Sequence, residues 1–200
     1  MRAEQMTLAY EKSDSLPPLR QGEILSGLNE YWVEDIVDDS ASVEIRQHEY
    51  AIVMTQDCDL DQDFRARRSE SNEPQRVLKS VLLCEIETAE KLRGSHKINS
   101  KDWSLVHSNR DERFHFLETV SSEHDLESTG LPELGVSFRR YFTVSLKMVY
   151  AELSRGLVRR RCRLRSPYLE HLSSRFSYYH SRIALPEPHR STPVVPPPQG

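Results

Sequence analysis

Long apolar runs are missing from this chain of 200 residues. Nothing approaches the roughly 18 consecutive apolar residues needed to span a bilayer, so no membrane partner is expected. Cysteine is scarce: Cys58, Cys84 and Cys162 are odd in number, far apart and in no CxxC spacing. That argues against a disulfide framework and a paired-cysteine zinc site, and for a reducing, cytoplasmic setting. The segment from Met1 to Pro18 has no apolar h-region of the kind a secretory signal carries. Glycine numbers only seven, and no glycine-rich phosphate loop is among them. HExxH and Gly-x-Ser-x-Gly are absent as well. No complete catalytic constellation is written in the chain, so the leading expectation is a non-catalytic module.

What is present is polar and charged. A hydrophobic fraction of 37% and a charged fraction of 29% fit one soluble domain. The net charge of −4 hides an asymmetry: residues 1–100 carry 12 Lys and Arg against 20 Asp and Glu, the remainder 15 against 11. The halves can attract each other within the fold, or mark surfaces with different partners.

The stretch from Ala51 to Asp63 organises the chain. Ala51, Ile52, Val53 and Met54 read as a buried strand that delivers Asp57, Cys58 and Asp59 to a rim or cleft. In an extended chain Asp57, Asp59, Asp61 and Asp63 point the same way. Such a set needs basic neighbours or a hard divalent cation, which makes Asp57, Asp59 and Asp61 a candidate Mg²⁺ site. A calcium-loop register begun at Asp59 places Glu70 at its twelfth position but fails at the sixth, where Phe64 replaces glycine. Cys58, flanked by carboxylates, is disfavoured as a thiolate and reads as a packed core residue. Its catalytic use belongs only to the enzyme alternative.

Leu19–Leu25 reads as a first strand. The acidic segment 26–39, with an apolar knot at Tyr31, Trp32, Val33 and Ile36, is a short helix or a hairpin arm. Residues 42–56 read as strand–turn–strand or one long strand, and residues 64–76 as an exposed loop. Further strands are expected over 77–87, 113–118 (half-buried, by its alternation) and 136–144. A polar connection with room for a helical turn spans 89–104, and Ser145 caps a short helix through Leu153. On a strand, Arg159, Arg161, Arg163 and Arg165 share one face and Arg160, Cys162 and Leu164 the other. Such a ladder suits phosphate contacts to nucleic acid, or an ion-paired sheet face. Ser166 and Pro167 open a helix over 166–185, whose stripe of Leu169, Leu172, Phe176, Tyr179 and Ile183 suits core packing or docking on a protein. Residues 186–200 form a proline-rich tail, expected to be disordered, and residues 1–18 a flexible lead-in.

Gln21-Gly22-Glu23-Ile24 and Ala51-Ile52-Val53-Met54-Thr55, with the strand over 136–144 leading into a helix, resemble the PemK/MazF group of SH3-like barrels. The resemblance spans about residues 19–155 and implies a small SH3-like barrel or strongly bent antiparallel sheet; with the long C-terminal amphipathic helix read from its apolar stripe, the expectation is one α+β domain over residues 19–185. Glu49-Tyr50 stands where that group carries Arg-Pro, so its ribonuclease activity is not carried over. The expectation is a cytoplasmic accessory module with a protein partner and no cofactor, contacting nucleic acid through the arginine ladder. The alternative is a metal-dependent or toxin-like nuclease built on Asp57 and Asp59, using Mg²⁺.

Overall fold

The computed structural model describes residues 9–15, 18–37, 40–69 and 74–181. The tail expected over 186–200 and most of the lead-in over 1–18 lie outside the described residues.

An apolar run without alternation needs cover on both faces, and the run 51–54 has it. Ile52 and Met54 belong to one core, Ala51 and Val53 to another. These residues end β3 (Ser40–Val53), which pairs with β2 (Glu23–Val37) on one side and β4 (Ser80–Thr88) on the other. With β1 (Tyr10–Lys12), β5 (Phe114–Leu117), β6 (Leu134–Ser145) and β7 (Arg159–Leu164), they form an open antiparallel sheet ordered β1-β7-β2-β3-β4-β6-β5. The fold is α+β, as expected.

Five helices accompany the sheet among the described residues. On one face α5 (Tyr168–Ser181) contributes Leu172 to a core of Ile24, Ile52, Cys84, Val136, Phe138 and Cys162. Leu169, Phe176 and Tyr179 pack against it, so the stripe at helical spacing serves the core; Ile183 lies outside the described residues. The opposite face carries α1 (Asp57–Arg68) and α4 (Leu146–Ser154), which add Leu60, Leu146 and Val149 to Leu25, Leu28, Ala51, Val53 and Leu83. A satellite core of Leu92, Val106 and Phe114 forms where α2 (Ala89–Ser95) and α3 (Ser100–His107) meet β5.

Several expectations are corrected. The polar connection over 89–104 contains two helices, capped by the Thr88 hydroxyl and the Asn99 side-chain oxygen. The strand near residue 115 is buried at all four positions, because α3 and α5 close over it. Residues 19–22 turn rather than extend. Gly22 has φ +76°, so the backbone there favours glycine, and a Cβ would also push the Leu169 side chain aside.

β7 departs from simple alternation too. Ile24 pairs with Cys162 but Leu25 pairs with Arg160, so Arg161 is the extra residue of a bulge. Cys162 and Leu164 therefore enter the core under α5, while Arg160 lines a cavity beside Leu153 and Val158 on the other side. The expectation that Arg160, Cys162 and Leu164 share a face gives way at that bulge.

Two buried groups set the acid limit of this fold. Burial pushes the His115 imidazole down to about 3, with Arg175 and His171 adding repulsion. Burial alone would raise the Asp125 carboxyl, but hydrogen bonds from Arg161 and from the Glu127 and Thr129 amides hold it at about 2. Both pKa values are depressed on folding, so both contributions are complete above the unfolded values and are lost as pH falls. Stability to urea should decline from about pH 6.5 as unfolded histidine takes up protons. A further loss, from Asp125, should follow between about pH 4 and pH 2. His115→Leu should flatten the first limb and Asp125→Asn the second; an unchanged profile in both variants would refute the assignment.

Candidate functional site

The aspartate stretch is helical, not extended, and this separates its carboxylates. The helix α1 lacks an apolar stripe; Leu60 and Asp63 are its buried residues. Electrostatics supports it instead, with Asp57 and Asp59 in the first turn and Arg65, Arg67 and Arg68 in the last, matching the helix dipole. Asp57 Oδ1 accepts from the Gln21 amide at 2.7 Å and Oδ2 from the Arg163 guanidinium. Asp61 pairs with Arg20 at 2.8 Å. Asp63, with no exposed surface, accepts from Arg67 Nε at 2.8 Å and the Leu78 amide at 2.8 Å. Asp59 is exposed. Among the described residues no group of three His, Cys, Asp or Glu side chains is placed to hold a metal ion.

Cys58 is exposed rather than packed in the core. It is the second residue of α1. Its sulfur lies 3.6 Å from Gln56 Oε1 and 3.8 Å from Asp59 Oδ1. No histidine among the described residues reaches it. Burial pushes the Cys84 and Cys162 thiols up to about 12.

The arginine strand is ion-paired along its length. Arg159 meets Glu127 at 3.1 Å, and Arg160 holds Glu23 at 2.6 and 2.8 Å while also donating to the Pro18 carbonyl. Arg161 holds Asp125 at 2.8 Å through two nitrogens. Arg163 spans Asp57, Glu11 and the Gln21 carbonyl, and Arg165 lies 3.8 Å from Glu11.

A different surface is both unpaired and shaped. Beyond Ser26, β2 no longer pairs with β7, and before Tyr50, β3 does not pair with β4. The two strands continue as a two-stranded arm in which Tyr31 faces Ile45 and Val33 faces Val43. Side chains alternate in a strand, so these four share one side of the arm. They remain 41% (Tyr31), 61% (Val33), 54% (Val43) and 59% (Ile45) exposed, and Trp32 on the other side is 51% exposed. The segment 29–47 has six Asp and Glu against one Arg in sequence.

The base of the arm is anchored. The Tyr31 hydroxyl donates to Glu152 Oε1 at 2.6 Å, which raises the phenol above its ordinary pKa, and the Asn29 amide reaches the same oxygen at 3.4 Å. The buried His48 ring stacks on Phe142 at 4.1 Å between centroids. Its Nε2 lies 2.9 Å from Glu30, and its Nδ1 3.4 Å from Glu85. The His48 ring beside it is the leading cause of the lowered Glu85 pKa, and Arg140, 3.1 Å away, adds to it against burial.

The hairpin-arm reading of 26–39 is therefore the one realised, with an exposed apolar face that it did not foresee. Period-two pairs at Tyr31/Val33 and Val43/Ile45 in an acidic segment were the available signal. Phe176 and Tyr179 of the C-terminal helix, by contrast, are committed to the core. No family model matches this chain, and no match was found among curated proteins or solved structures. Fold and site thus define the protein only as an α+β domain with an open antiparallel sheet and a projecting acidic, apolar-faced arm.

A thiol reagent should modify one of the three cysteines, Cys58, in the folded protein, and all three in denaturant. Cys58→Ser should abolish the native-state reaction. Rapid native labelling of Cys84 or Cys162 would contradict the burial described.

Proposed function

We propose that this protein is a non-catalytic accessory module that docks a protein partner through the β2–β3 arm. The observation that carries the proposal is the cross-strand apolar face of Tyr31, Val33, Val43 and Ile45, exposed on a strand pair whose base is held in place. Clustered exposed apolar side chains rimmed by polar groups mark interaction surfaces, and a preformed surface loses less entropy on binding. Charge selects the occupant. An arm with six carboxylates and one guanidinium in its sequence repels phosphate and repels a second copy of itself. The partner is a protein with an apolar patch bordered by Lys and Arg.

Contact with nucleic acid through Arg159, Arg161, Arg163 and Arg165 is a weaker reading, because each guanidinium would have to exchange a carboxylate for a phosphate. The nuclease alternative at Asp57 and Asp59 calls for a cation to compete with Arg163 for Asp57. The likeness to PemK/MazF-type barrels belongs to this proposal as well. A cytoplasmic setting, proposed from cysteine usage, suits the exposed free thiol of Cys58. No helix among the described residues is long and apolar enough to cross a membrane.

Val33→Asp combined with Ile45→Asp should weaken binding of the isolated partner by at least about tenfold, or 1.4 kcal/mol, with an unchanged unfolding midpoint. Added salt should weaken the wild-type complex. A partner that binds this variant and the wild type equally would place docking elsewhere. For the alternative, labelled RNA and DNA incubated with Mg²⁺ or EDTA should show no cleavage. Mg²⁺-dependent cleavage abolished by Asp57→Asn would replace the proposal with the nuclease.

A further inference from the structure

A cavity of about 580 Å³ opens between α1, α4 and the turn leading into β7, on the opposite side of the sheet from α5. Its volume lies within the usual range for small-molecule sites, which combine an apolar lining with a few placed polar groups. Phe64, Tyr150, Leu153 and Val158 supply the apolar lining, enough to hold a flat ring system.

Four arginines also line the cavity: Arg67, Arg68, Arg159 and Arg160. They divide into two kinds. Arg67 is held by buried Asp63 and Arg160 by buried Glu23, so these two are neutralised and fixed. Arg68 lies over the Phe64 ring, 5.2 Å from its centroid, and has no carboxylate partner among the described residues. Arg159 is joined at 3.1 Å to Glu127, with both groups exposed to solvent. An exposed pair of this sort is worth only about 0–1 kcal/mol, so a stronger anion can take its place. The cavity therefore offers two exchangeable guanidinium groups beside an apolar, aromatic wall. Guanidinium forks match phosphate oxygens in pairs.

We propose that this cavity binds an organic phosphate with a flat, largely apolar body, of the size of a mononucleotide. The phosphate takes Arg68 and Arg159, releasing Glu127 to solvent, and the body packs on Phe64, Tyr150, Leu153 and Val158. The site is separate from the arm and does not depend on its partner. Both features nevertheless use α4, which gives Glu152 to the arm and Tyr150, Leu153 and Ser154 to the cavity.

The test is calorimetric titration of the full chain with the four ribonucleoside 5′-monophosphates, their parent nucleosides and inorganic phosphate, each separately. At least one monophosphate should bind with a Kd below about 1 mM. Its nucleoside and inorganic phosphate should each bind at least about tenfold more weakly. Arg68→Ala with Arg159→Ala should remove that preference for the phosphorylated form. Ser154→Phe, which fills the cavity and leaves every arginine in place, should weaken the monophosphate by a similar factor. Circular dichroism and the unfolding midpoint confirm that both variants fold. Three results would each overturn the proposal: no monophosphate binding to the wild type, inorganic phosphate binding as tightly as the nucleotide, or unaltered nucleotide affinity in folded variants.

Discussion

The pairing of every arginine from 159 to 165 with a carboxylate is the constraint on which the rest of the structure depends. A strand carrying that much positive charge cannot enter a sheet unless the charge is answered, since an unpaired buried ion costs several kcal/mol. The answers come from five places in the chain: Glu11, Glu23, Asp57, Asp125 and Glu127. Each pair fixes the position of the segment that supplies it. Glu23 brings the start of β2 to Arg160, Asp57 pins the first turn of α1, and Asp125 closes the loop after β5 over Arg161. Neighbouring strand residues face opposite sides, and the bulge at Arg161 shifts the register between Ile24 and Leu25; Arg160 and Arg161 meet different acids.

That arrangement places the functional features. β2 is held at its beginning by Arg160, and from there it runs out of the sheet with β3 as the arm. The arm is kept from swinging at its base by Glu152, His48 and the ring of Phe142. Its apolar face is therefore presented rather than collapsed. The helix α4 links the two regions, because Glu152 binds Tyr31 while Tyr150 and Leu153 line the arginine-bordered cavity. The two regions differ in charge: the arm is rich in carboxylates in its sequence, and the cavity is bordered by guanidinium groups.

Elements with strong apolar patterns were legible in the sequence. The run 51–54, the strand over 136–144 and the stripe of the C-terminal helix all serve the core, since a pattern of burial is what such periodicity records. The helix over 57–68 was not legible, because it buries little apolar surface and is held by charge at both ends and by the inward Asp63. A search for apolar spacing passes over a helix of that kind. The same error of backbone turned Cys58 from a core residue into an exposed one, since a helix and a strand send the same side chain in different directions. The short helices over 89–107 were hidden by their polarity, although Thr88 and Asn99 stood at cap positions.

The sequence by itself determined the class of fold, the strand and helix that cover each other, and the presence of an acidic half and a basic stretch. Composition and spacing are local properties, and they are enough for that. Tertiary structure decided which acid meets which arginine, where the bulge falls, and that the apolar knot at residues 31–33 stays in solvent instead of entering the core. Several of those outcomes depend on contacts between segments more than a hundred residues apart, such as Arg160 with Glu23 and Tyr31 with Glu152. Local pattern carries no information about such distances.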